Sequence, residues 1–271
     1  MNRIGMVLLL WAGSALAVFA QTDSLEYLDK DRVRVKSKEE ATYYKISHWN
    51  GAPDGSGTEI TYYLTGEKES VVPFAVMGAV REGVAMDWYK SGQVSEKKYY
   101  HQNRLQGISE EWYADGTRKA LMTYWQDTLH GTLKTFYPTG ALKRKDVYQK
   151  GRLKEGHCYA PDSTELPYVP YQTLAEFPKG GTAGLRKFIL NRGRMPEAAI
   201  LAGVGGKVVV NFVVGPDGKV ERVWIKEASF REFAQEVMRV MRTMPNWKPG
   251  TLEGEPVSQR FVLPIRFSFT Q

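Results

Sequence analysis

The sequence predicts a β-rich chain in two parts: an all-β region of tandem hairpin repeats over residues 43–156, and an α+β domain over 180–271. Three observations predict it. Aromatic pairs and glycines recur every 24 residues through the middle of the chain. Two-residue alternation of apolar and other side chains marks strands at 206–214 and again at 261–269. Between those strands lie a Pro-Asp-Gly turn and a segment with helical spacing of its apolar residues.

Residues 1–20 open with Arg3, continue as an apolar run and end among Ala15, Ala17 and Ala20, the pattern of a secretory signal peptide. An uncleaved membrane anchor is the rival reading, since about 17 apolar residues reach the bottom of the spanning range. Residues 21–42 are charged and without clear period, and are expected to be a loosely held lead-in.

From residue 43 to 156 the chain repeats. Trp88-Tyr89, Trp112-Tyr113 and Phe136-Tyr137 are equivalent, as are Gly92, Gly116 and Gly140, and Gly83, Gly107 and Gly131. Tyr62-Tyr63 with Gly66 is an earlier, looser copy. The glycines take turn positions, and the aromatics of successive hairpins are expected to stack into one layer. Residues 157–179 carry Pro161, Pro167, Pro170 and Pro178 and read as an extended connector.

Residues 182–191 read as a short helix with Leu185, Phe188 and Ile189 on one face. Val208, Val210, Phe212 and Val214 then share one face of a strand, and Gly215-Pro-Asp-Gly218 turns it into a hairpin. Ser229 with Glu232 reads as a capping box for a helix carrying Phe233, Val237 and Met241, which Pro245 stops. In the last strand Pro264 has no N–H to offer a ladder, so that strand lies at a sheet edge or carries a bulge.

Composition narrows the function. The formal charge of +7 sits in the last third: 15 Lys and Arg face 8 Asp and Glu from residue 179 onward. That favours an acidic partner surface or an anionic envelope polymer; no basic helix or stacking motif points to nucleic acid. Cys158 is the single cysteine, so no intrachain disulfide forms. His48, His101, His130 and His157 have no metal-ligand spacing. The 203–207 glycine run lacks the first Gly and the Ser or Thr of a phosphate loop, with Leu201 and Val208 in their places. The chain reads as a binding protein, with no catalytic site, metal or cofactor expected.

Met195-Pro196-Glu-Ala-Ala199, Gly206-Lys-Val208, Pro216-Asp-Gly218, Trp247-Lys-Pro-Gly250 and Leu263-Pro-Ile-Arg-Phe267 occur in an order that resembles the C-terminal domain of TonB. That family transmits energy from the bacterial inner membrane to outer-membrane transporters. The repeats resemble MORN-type repeats of bacterial envelope proteins. The fold class is thus an α+β TonB-like domain (short helix, β-hairpin, helix, β-strand) preceded by an all-β domain of MORN-like hairpins. The resemblance implies a periplasmic or envelope location in a Gram-negative bacterium, and a partner peptide added as a further strand. Two contact regions follow from it. One is 257–266 on the last strand, including Arg260, Val262, Pro264 and Arg266. The other is Arg192-Gly-Arg-Met195, where Met195 stands in place of the family's tyrosine; Arg192, Arg194 and Met195 are the residues implied. The implied partner is an outer-membrane TonB-dependent transporter or another envelope protein. Inner-membrane motor proteins join it if the N-terminus is uncleaved, and homodimerisation is open. The alternative is a scaffold whose repeats bind lipid, glycan or protein while the C-terminal domain mediates assembly.

Overall fold

A computed structural model of the chain describes residues 23–30, 32–51 and 55–268. The expected signal peptide lies outside them. Two units divide at the 168/169 junction.

The first unit is one sheet of 15 strands laid down almost entirely in chain order, each pair antiparallel. Repeats explain the order, because each copy is a hairpin that can bury its side chains only against the next copy. The strands Gly83–Trp88, Gly107–Trp112 and Thr128–Phe136 are equivalent, and each is followed by the same turn. In that turn the Tyr89 N–H donates to the Gln93 carbonyl and Gly92 takes a φ of +86°; Tyr113 and Gly116 repeat it, as do Tyr137 and Gly140. The looser copy makes the same turn at Tyr63 and Gly66.

The copies are joined by tyrosine hydroxyls. Tyr89 Oη donates to the Trp112 carbonyl, Tyr113 Oη to that of Phe136 and Tyr137 Oη to that of Tyr159, each at 2.8 Å. This ladder replaces the expected stack of rings. Equivalent rings sit two strand spacings apart, about 9.5 Å, which is beyond stacking distance.

Two other expectations are corrected. Residues in the presumed lead-in form Ser24–Leu28 and Arg34–Val35, which pair with each other and extend the sheet through Tyr43–Trp49. The presumed connector is no tether either. Arg152–Tyr159 and Glu165–Leu166 continue the sheet. The Tyr168 ring lies on Gly156, where a Cβ would collide with it, while its hydroxyl donates to Asp146 Oδ2 at 3.2 Å. Asp146 is fully buried and also accepts from Arg144 Nη1 at 2.9 Å.

The second unit is built on a three-stranded antiparallel sheet. The inner strand Gly206–Val214 lies between the hairpin strand Val220–Ala228 and the last strand Gln259–Phe267. The turn between the first two forms as its chemistry requires: Asp217 Oδ1 accepts from the Lys219 N–H, and Gly218 has a φ of +81°. Val208, Val210, Phe212 and Val214 are buried on one face against helix α3 (Arg231–Met241), whose Phe233, Val237 and Met241 point inward. Val209, Asn211 and Val213 on the other face are buried too, because the strand is central and both neighbours flank it.

The helix start differs from expectation. Phe230 is the N-cap of α3, and no side chain caps it. Ser229 Oγ instead accepts the Lys207 N–H at 2.8 Å, prolonging the sheet by one rung. The helix ends at Met241, ahead of Pro245. Helix α1 (Gly181–Arg192) is as expected, while the short α2 (Glu197–Leu201) is additional. A small second sheet joins Gln172–Thr173, Gly250–Leu252 and Glu255–Val257, and Ala175 and Phe177 enter the core.

Candidate functional site

The last strand is the feature to examine for binding. Among the described residues it pairs only with the inner strand, in unbroken register from Gly206↔Phe267 to Val214↔Gln259. Pro264 therefore sits on an edge strand, with no bulge. Its parity follows from two facts. Lys207 exchanges hydrogen bonds with Ser229, so odd-numbered residues of the inner strand face the hairpin side and even-numbered ones face the last strand. The partners of the even residues are Phe261, Leu263, Ile265 and Phe267. Val262, Pro264 and Arg266 consequently aim their backbone polar groups away from the sheet, which is where a proline belongs. The open edge offers the N–H groups of Val262 and Arg266 and the carbonyls of all three.

The lower end of this edge is closed by the chain itself. Gln259 Nε2 donates to the Thr173 carbonyl at 2.8 Å, and Gln259 Oε1 accepts from the Ala175 N–H at 2.7 Å. The amide passes over Gly250, where a Cβ would strike it. Val257 pairs with Gly250 in the small sheet. Of the expected 257–266 contact region, the upper part alone is open.

Beside the edge runs a trough. A cavity of about 450 Å³ lies among Leu174, Phe177, Leu185, Trp247, Val262 and Leu263. A second, of about 300 Å³, continues between α1 and Leu263 to Arg266. A third, of about 350 Å³, lies among Leu190, Arg194, Met195, Glu236, Ile265 and Arg266. Neighbouring cavities share residues, Leu185 and Leu263 at one junction and Ile189 and Arg266 at the other, so they form one line along the strand.

The floor is aromatic. Trp247 meets Phe177 and Phe212 edge-on at 5.5 and 5.6 Å, and Phe261 stacks on Phe212 at 5.4 Å. Gly218 allows the hairpin turn to close onto Trp247, whose N–H donates to the Gly218 carbonyl at 2.8 Å. At the far end Arg239 donates to both oxygens of Glu236, which holds that carboxyl below the usual carboxylate range. Glu236 also accepts the Arg194 N–H at 2.8 Å and so fixes the loop that carries Met195.

The residues singled out from the sequence distribute unevenly. Arg194, Met195 and Arg266 come together in the third cavity, with Met195 partly buried against the core. Val262 lines the first cavity and Pro264 the second. Arg260 lies apart, over the Trp224 ring at 5.1 Å on the outer face. Arg192 also lies apart: its guanidinium covers the Phe188 ring at 5.0 Å, and its carbonyl accepts from Arg239. Sequence reasoning missed the α1 wall. Leu185, Phe188 and Ile189 were legible as one helix face, but a face alone does not say whether it meets a core or a groove. Among the described residues no group of three His, Cys, Asp or Glu side chains has metal-binding geometry.

One sheet of hairpin repeats is thus followed by a second unit in which a hairpin, helix α3 and an edge strand surround the core. Residues 193–269 match the family model described as the Gram-negative bacterial TonB protein C-terminal. Residues 129–150 match the MORN repeat variant. The chain thus carries a TonB-type C-terminal domain preceded by MORN-type repeats, neither of which is an enzyme family. Among curated proteins none matches the chain. The TonB-type domain supports an envelope role in a Gram-negative bacterium. No helix among the described residues is long and apolar enough to cross a membrane.

Proposed function

We propose that this chain is an exported envelope protein that captures an extended peptide of an outer-membrane transporter, or of another envelope protein, by adding it as a strand to the edge at 261–267. In that role it takes part in TonB-dependent transport. The observation that carries the reading is the outward parity of Val262, Pro264 and Arg266 on a strand with one unpaired side. Main-chain bonds to that side supply affinity, and side chains entering the trough supply choice. The net positive charge of the C-terminal third favours an acidic segment.

The test is a titration of the whole chain with synthetic peptides from the N-terminal boxes of transporters. Saturable binding that slows exchange of the Val262 and Arg266 amides is the expected outcome. Absence of binding across transporter boxes from the same cell removes the reading.

A further inference from the structure

The wall that faces the open edge does not belong to the family-matched part of the chain. Leu174, Phe177, Leu185, Arg186, Ile189 and Leu190 all precede residue 193, where that match begins. Helix α1 buries none of its residues, and Leu174, Leu190 and Val262 are 73%, 69% and 58% exposed along the trough. Leu185 and Phe188 are half-buried against the core, while Leu174, Leu190 and Val262 leave apolar surface beside the open strand, and such surface is normally removed from water. At one end the charge is also unbalanced. Arg266 sits directly opposite Lys207 in the ladder, and Lys207 is paired with Glu227 Oε2 at 3.5 Å, which leaves Arg266 as the uncompensated charge. Arg186 lines the same cavity, and neither it nor Arg266 forms an ion pair among the described residues.

Resting on the strand-addition reading, we infer that α1 and the 174–177 segment select the partner, which is an extended peptide with two apolar residues spaced by one and a carboxylate directly after or before them. The spacing comes from the register. On an added strand, residues level with Leu263 and Ile265 point to the α1 side, into the first two cavities. The residue level with Arg266 points to the opposite face, where Arg266 and Lys207 lie. The pattern is therefore apolar–any–apolar–acid along the direction of the last strand, and its reverse for the other chain direction. Alternation of side chains fixes this parity whatever the sequence of the partner.

Selection by charge arises from Arg266, and selection by shape from Leu185 and Leu190. Leu190 and Arg266 are exposed, so both can be changed without touching the aromatic floor.

The experiment uses the full mature chain and fluorescein-labelled synthetic peptides containing Leu-Thr-Leu-Asp or Asp-Leu-Thr-Leu, flanked by Thr and Ser. Anisotropy at low salt is read for each peptide, for its Asp→Lys version and for its Leu→Ser version. One orientation is expected to bind, with affinity lowered about tenfold or more by Asp→Lys. The Arg266→Glu chain is expected to reverse that preference, and Leu190→Ser to weaken the Leu peptide without altering the charge preference. Both substitutions are at exposed positions, and circular dichroism checks that the chains remain folded. Binding that slows Val262 and Arg266 exchange but is indifferent to Asp, Lys, Arg266→Glu and Leu190→Ser overturns the selector and leaves strand addition standing. Failure of these and all transporter peptides to bind overturns both.

Discussion

Replacing Gln259 by alanine should release the chain's own hold on the edge strand. The side-chain amide makes two hydrogen bonds to backbone, to the Thr173 carbonyl at 2.8 Å and from the Ala175 N–H at 2.7 Å. Each such bond contributes about 1 kcal/mol net, so the pair stabilises the 172–177 segment by about 2 kcal/mol. Ala175 is buried, which leaves its N–H without an acceptor in the variant. Two kcal/mol corresponds to about a 30-fold rise in local opening. Hydrogen exchange at the Ala175 amide, measured in the whole chain, reads this directly. Gly250→Ala should produce the same loosening by a different route, because its Cβ occupies the path of the Gln259 amide. Ala175 exchange that changes by less than about threefold in both variants would refute the reasoning. It would mean that Phe177 packing against Trp247, and not the amide, holds the segment down.

Four further outcomes are expected. Tyr89→Phe removes the hydroxyl that donates to the Trp112 carbonyl and should destabilise the repeat sheet by about 1 kcal/mol in urea unfolding. Asp87 is pushed up to about 6 by burial and by the nearby Glu96 and Glu69 carboxylates. The folded state then holds a proton that the unfolded state has lost, so stability should fall as pH rises from about 4 to 6. Asp87→Asn should flatten that slope in melting curves, by about 1 kcal/mol once screening is allowed for. Pro264→Val restores a donor on the open edge and should raise self-association in sedimentation runs, since proline there blocks edge-to-edge pairing. Gly218→Ala demands a left-handed residue where a Cβ would strike the Trp247 carbonyl, and should cost roughly 2 kcal/mol or more in thermal unfolding.

Much of this architecture was legible because its signals are periodic. The 24-residue spacing of Trp88, Trp112 and Phe136 announces the hairpins, and alternation at 206–214 and 261–267 announces two strands that pair side by side over the core. Pro264 narrowed the last strand to an edge or a bulge, and the unbroken register decides for the edge. Signals that depend on tertiary partners were not legible. Ser229 has the spacing of a cap, yet its hydroxyl finds the Lys207 N–H first, and nothing near it in the chain betrays that competition. The strands Gln172–Thr173, Gly250–Leu252 and Glu255–Val257 are too short to show a period, so the small sheet went unseen and the proline-bearing stretch looked like a tether. The trough is the extreme case. Its edge is visible in the sequence, while the wall opposite comes from a helix whose apolar face resembles any core face.

The account rests most directly on which amides of the last strand are free. Residue-resolved hydrogen exchange of the unliganded chain should show Leu263 and Ile265 slow, because they bond the inner strand, and Val262 and Arg266 fast, because they face outward. Slow exchange at Val262 and Arg266 before any peptide is added would mean that the edge is already occupied, and would contradict the account.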